Sequence, residues 1–350
     1  MPLYNHISHS TLTSLLQKRV LFFVGKGGVG KTTVTSALAL AAARRGKKTL
    51  LIEIEANNRA ARLLGLPPLE NPTNILREVS PALFALSITG AAALEEYLHL
   101  IIPVRRLVRM LVESRPYQYF VAAAPGLKEL LTLGKVWYEE RKREVETQQS
   151  RWDLLLVDLP ATGHGLQYLQ MPYAARDTFS DGIVHREAER IVTWLQDGDK
   201  TAVNLVTTAE ELPVSETLDA HKQLVEKLQL PLGVLFINRA HEAPLSSEPL
   251  AHIRVSTKGS AEDRALATEV LACARTEAAL VEMQTTYLQQ LYQLSLPFVP
   301  LPFCFSSEFG PAQVEELARY IEFLLHSKAA VPTRTSRRRK KKTEPLVQTS

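Results

Sequence analysis

Glycines at 25, 27, 28 and 30, followed by a lysine and a threonine, make the run Gly25-Lys26-Gly27-Gly28-Val29-Gly30-Lys31-Thr32, which satisfies G-x-x-x-x-G-K-[ST]. These types at this spacing hold phosphate. Glycines let backbone N–H groups converge on phosphate oxygens where a Cβ would obstruct them. Lys31 brings a cation to the β- and γ-phosphates, and the Thr32 hydroxyl is placed to ligate Mg²⁺, with Thr33 beside it in the same turn. A helix starting near Lys31 adds its positive dipole end. The apolar run Asp153–Asp158 ends in a carboxylate, and Asp158 reads as the magnesium-side acid of the same chemistry, acting through water.

The base is read further along. Asn238-Arg239-Ala240-His241 superficially matches the N-K-x-D signature for guanine. That signature needs an Asp accepting two hydrogen bonds, and an imidazole cannot replace a carboxylate there. ATP is therefore the expected nucleotide.

Elements must carry these residues to one place. Arg19–Gly25 reads as a buried strand, Lys31–Arg45 as a helix stopped by a basic turn and Gly46, and Thr49–Glu55 as a second strand. Strand, helix and strand at this spacing form a βαβ unit with a right-handed crossover. Further strands are expected at Leu83–Ile88, Asp153–Asp158, Ala202–Thr207, Leu232–Asn238 and Phe298–Leu301, and helices at Val214–Leu228 and Pro311–Leu325. The alternation specifies an α/β fold, a doubly wound, mostly parallel sheet of P-loop architecture. Residues 90–149, 175–195 and 261–294 have helical patterns too long for simple crossovers, so a helical layer inserted at one edge of the sheet is expected. The ordered domain is placed at 19–327, after a lead-in of 18 residues.

Composition narrows the classes. An apolar share of 45% supports a full core. No apolar run approaches the length of a membrane span and the start lacks a secretory pattern, so the expected location is cytoplasmic. Two cysteines, Cys273 and Cys304, cannot build a disulfide framework or a four-cysteine zinc site. From Ala329 onward seven basic residues face one acid, Glu344. Residues 328–350 are expected to be a basic disordered tail, and the body before it is slightly acidic, with no call for specific nucleic acid.

With Lys26 the glycine loop has the deviant form GKGGVGKT, which resembles the class holding the ParA/MinD partition ATPases and the ArsA-type ATPases. The segment Asp158-Leu159-Pro160-Ala161-Thr162-Gly163-His164-Gly165-Leu166, continuing to Pro172, resembles the switch II segment D-T-A-P-T-G-H-T-L-R-x-L-x-x-P of ArsA-type ATPases and of the eukaryotic ATPases that target tail-anchored proteins. Ala124–Glu129, Glu210–Thr217 and Leu301–Phe303 agree as well. The resemblance spans roughly residues 19 to 327 and is strongest to single-domain bacterial ArsA-like ATPases. It implies that Lys26 reaches a partner protomer's phosphates in a homodimer, or in a heterodimer with a similar paralogue. It also implies that the Gly163 N–H senses the γ-phosphate with Asp158, and that Asn238 with the Pro302–Phe303 turn holds adenine.

The departures are informative. Glu55 stands where the family's switch I has an Asp that orients the attacking water, which implies slow hydrolysis. The paired cysteines of the zinc-binding relatives are missing, so no zinc is expected, and the thiol cluster of an arsenite pump is missing too. Leu166, Leu169 and Met171 lead from switch II toward the helical layer, where an unidentified protein partner or client would bind. Leu98–Val112 reads first as a core helix with snorkelling Arg105, Arg106 and Arg109, and second as a hydrophobic groove with a basic rim. A MinD- or ParA-like positioning factor is the alternative. Its tail has only Leu346 and Val347 as large apolar residues, so any membrane association would be peripheral.

Overall fold

Short runs of Val, Leu, Ile and Phe bounded by glycine or polar turns become strands buried on both faces. A computed structural model describes residues 9–55, 58–69, 73–102, 104–115, 117, 119, 126–242, 247–256 and 258–326. The strands are β1 (Val20–Val24), β2 (Thr49–Ile54), β3 (Arg77–Ser80), β4 (Leu83–Ile88), β5 (Leu154–Asp158), β6 (Thr201–Thr208), β7 (Leu232–Ala240) and β8 (Phe298–Pro302). Among the described residues they form one sheet in the order β3-β4-β2-β5-β1-β6-β7-β8. All neighbours are parallel except β3 and β4. Strand β3, which has no signal in the sequence, is a short polar edge whose register slips between Glu78 and Ser80; such irregularity blunts an open edge.

The helices are α1 (His9–Leu16), α2 (Lys31–Arg44), α3 (Arg59–Leu63), α4 (Gly90–Ile101), α5 (Arg105–Val112), α6 (Leu127–Arg141), α7 (Thr162–Thr178), α8 (Ile183–Gln196), α9 (Glu211–Lys222), α10 (Ser247–His252), α11 (Ala261–Tyr292) and α12 (Pro311–His326). Alternate strand residues divide the core. Phe22, Ile52, Val157 and Leu235 pack against α6, α7, α8 and α9, while Leu21, Phe23, Leu51 and Phe236 pack against α1, α2 and α12. Burial on both faces explains why the strands read as continuous apolar runs. The helical layer thus lies across a face of the sheet instead of at its edge, because Leu130, Leu133 and Val136 of α6 join the main core cluster. The helix expected over 175–195 is broken between Thr178 and Ile183, where Gly182 takes a φ of 95°. The helix expected from Val214 begins a turn earlier, at Glu211, and ends in a widened π turn at Gln223–Lys227.

At the centre of the sheet, buried Asn204 donates to the Phe22 carbonyl (3.2 Å) and accepts from the Val234 N–H (2.9 Å). It fills the register shift between β6 and β7, and a Cβ at Gly233 would overlap its Oδ1. The strands beside the glycine loop are thereby tied together by a side chain. Helix α5 departs from the core-helix expectation: Val108 is buried, whereas Leu107 and Met110 are 53% and 62% exposed. The basic tail, residues 1–8 of the lead-in, Ala124, Pro125, Ala56 and Asn57 lie outside the described residues.

Candidate functional site

The C-terminal ends of β1 and β5 lie side by side in the parallel sheet, with Phe23 paired to Asp158, so the loop after β1 meets the carboxylate ending β5. Gly30 has a φ of 89°, and a Cβ there would overlap the Asn238 amide, so only glycine serves at this bend. Asn238 Nδ2 donates to the Val29 carbonyl at 2.8 Å, which fixes the loop from the end of β7. Lys31 curls back, its Nζ donating to the carbonyls of Gly25 (2.8 Å) and Lys26 (3.3 Å). Burial lowers the Lys31 pKa, an effect opposed by the Asp158 charge.

Thr32 Oγ1 donates to Asp158 Oδ2 at 2.6 Å. The other oxygen, Asp158 Oδ1, is buried with no hydrogen-bond partner. Burial pushes the Asp158 carboxyl up to about 6, against the opposing Thr32 hydrogen bond and the Lys31 and Arg59 charges. A hydroxyl beside a carboxylate with one unsatisfied buried oxygen is a hard-oxygen donor set, and it fits Mg²⁺. The segment that resembles switch II abuts the same loop: the Thr162 N–H, opening α7, donates to the Gly25 carbonyl at 3.1 Å. Around Gly163 the space where a side chain would stand is open.

Two expected residues have partners within the chain. Lys26 forms an ion pair with Glu216 of α9 inside its own chain. Glu55, at a φ of 56°, accepts from the Gly90 N–H (2.6 Å) and the Tyr168 hydroxyl (3.3 Å), so its hydrogen bonds do not run to the loop. Sequence reasoning missed Glu53, which is paired in register with Asp158 and only 2% exposed. Its carboxylate accepts from the Ala60 N–H at 3.1 Å, and burial, together with the neighbouring Asp158, pushes it up to about 7. The available signal was an acid inside the otherwise apolar run TLLIEI.

The expected base-binding residues come together at the ends of β7 and β8, where Ala240 pairs with Pro302. The Phe303 N–H donates to the Ala240 carbonyl (3.1 Å), and the His241 ring stacks on Phe303 with centroids 4.7 Å apart. Helix α11 holds this corner: Gln284 Oε1 accepts from the His241 N–H (3.0 Å), Gln284 Nε2 donates to the Arg239 carbonyl (3.1 Å), and Glu277 contacts the His241 ring at 2.9 Å.

Comparison with known proteins bears on the family. The family model described as anion-transporting ATPase matches residues 18–185. ATPase BagA of Mycobacterium tuberculosis is 35% identical over 237 residues, 67% of this chain and 68% of that protein. The arsenical pump-driving ATPase of Acidiphilium multivorum is 26% identical over 225 residues, 59% of this chain and 37% of that longer protein. With the glycine loop, the Asp158 carboxylate and the parallel sheet in their expected places, the chain belongs to the ArsA-type, anion-transporting ATPase family.

Proposed function

We propose that the protein is a magnesium-dependent, ATP-binding and ATP-hydrolysing switch that works as a dimer and relays nucleotide state to its helical layer for a protein partner. The observation that carries this reading is the Lys31–Thr32–Asp158 constellation with its unsatisfied buried carboxylate oxygen. Lys31 would exchange its loop carbonyls for β- and γ-phosphate oxygens, and the loop N–H groups would take the remaining charge. Thr32 and, through water, Asp158 would hold Mg²⁺, which when bound neutralises phosphate charge. Asn238, Pro302 and Phe303 would frame the adenine. Lys26, half-exposed at the rim, is free to leave Glu216 for a partner's phosphates, since exposed ion pairs are weak.

Turnover is expected to be slow. Glu55 spends its carboxylate on Gly90 and Tyr168, which leaves no switch I acid free to orient water. The two cysteines, one exposed on α11 and one partly buried beyond β8, lie in separate elements and are given no metalloid role. Among the described residues no helix is long and apolar enough to cross a membrane.

Titration calorimetry with ATP, with and without Mg²⁺, tests the reading. Heat with Mg-ATP and a larger assembly than with ADP are expected. Lys31→Ala should lower turnover by at least about 100-fold. No heat with wild-type protein, or undiminished turnover in Lys31→Ala, would overturn it. Glu55→Asp should raise turnover by up to about 100-fold, since a misplacement of about 1 Å carries a cost of that order; unchanged phosphate release removes the account of slow hydrolysis.

A further inference from the structure

We infer that Glu55 and Tyr168 are a positioning pair fastening the switch II helix α7 to the head of α4, so that nucleotide state reaches the helical layer through this contact. The inference rests on the switch reading above and names the residues that would carry it.

Glu55 occupies the left-handed region, which a non-glycine residue keeps only where its surroundings hold it. Its own N–H donates to the Ile88 carbonyl at 3.0 Å, and its carboxylate takes the Gly90 N–H at 2.6 Å. Gly90 is the first residue of a 12-residue helix, where free N–H groups and the dipole favour a negative partner. The third contact comes from α7: Tyr168, 1% exposed, donates its hydroxyl to the same Oε1 at 3.3 Å. Burial, and then the Glu55 charge, raises the phenol pKa and keeps it the donor. One carboxylate oxygen thus joins the end of β2, the start of α4 and the middle of α7. The extra methylene of glutamate supplies the reach.

The surrounding joint has no slack. A Cβ at Gly90 would stand 2.5 Å from the Lys128 Cβ of α6. At Gly126, immediately before α6 and at a φ of 85°, a Cβ would overlap the Met171 sulfur of α7. Helices α4, α6 and α7 therefore meet without room for one methyl group, and such close packing passes displacements on. The input lies at the head of α7, where the Thr162 N–H grips the Gly25 carbonyl. The output is α4 and the exposed apolar side of α5 that follows it.

Hydrogen exchange on the full chain, compared in Mg-ATP and Mg-ADP, tests this. Wild-type amides over 90–101 should differ by at least about threefold between nucleotides, and Tyr168→Phe should collapse that difference while ATP affinity stays within about twofold. Glu55→Gln, which retains an acceptor, should keep part of the difference; this separates positioning from general loosening. Should Tyr168→Phe fail to fold, Glu55→Ala, which reaches neither donor, must collapse the difference instead. Persistence of the full difference in Tyr168→Phe or Glu55→Ala, or its absence in ATP-bound wild type, overturns the inference. Absence of ATP binding by wild type overturns the switch reading itself.

Discussion

Two carboxyl groups share the buried ends of β2 and β5. Asp158 is held at about 6 and Glu53 at about 7, against ordinary values of 3.8 and 4.5. An acid raised in the fold contributes stability that is fully present below its unfolded value and is lost as pH rises through its folded value. The contribution of these two groups to the stability of the ligand-free fold is therefore expected to fall between about pH 4 and pH 7. Glu53→Gln, which keeps an acceptor for the Ala60 N–H, should be more stable than wild type at pH 8 by about 2 kcal/mol and no more stable near pH 4. Urea melts at the two pH values decide it; an equal difference at both would assign the effect to packing. Lys26 offers the opposite contrast. Its ion pair with Glu216 is partly exposed and worth at most about 1 kcal/mol. Lys26→Ala should thus shift the melting temperature by no more than about 4 °C, yet lower ATP turnover by about 10-fold if the lysine acts on phosphate.

Among the elements, the central strands depend on one polar side chain. Truncating Asn204 to alanine strips the Phe22 carbonyl and the Val234 N–H of their buried partner, at a cost of about 2–4 kcal/mol. Chemical denaturation measures this, and a loss under about 1 kcal/mol would mean that the strands close the register shift themselves. Nothing in the sequence distinguishes Asn204 from a strand-end residue, because its partners are 182 and 30 residues away. The same limit hid β3, whose polar run REVS forms a strand only because β4 offers it an edge. Helix α5 was legible as a helix, but not as one that presents Leu107 and Met110 outward, since periodicity shows a stripe and not what covers it.

For the whole molecule, legibility follows sequence distance. The glycine loop, Thr32 and the strand ending in Asp158 are local patterns, and the sheet brings them together as expected. The contacts that decide how the site is wired are long-range. Lys26 and Glu216 lie 190 residues apart, and Glu55 and Tyr168 lie 113 apart. The corner at the ends of β7 and β8 extends this wiring to the outer surface. Helix α11 is pinned at Gln284 and Glu277 against the chain that follows β7, while residues 261–270 stand exposed. From Glu277 to the tip at Ala261 the helix runs about 24 Å, at roughly 1.5 Å per residue. A tilt of about 5° there would swing the tip by about 2 Å. The molecule therefore carries an exposed helical arm rooted at the corner where β7 and β8 end, so that a small tilt at the root becomes a larger movement at its tip.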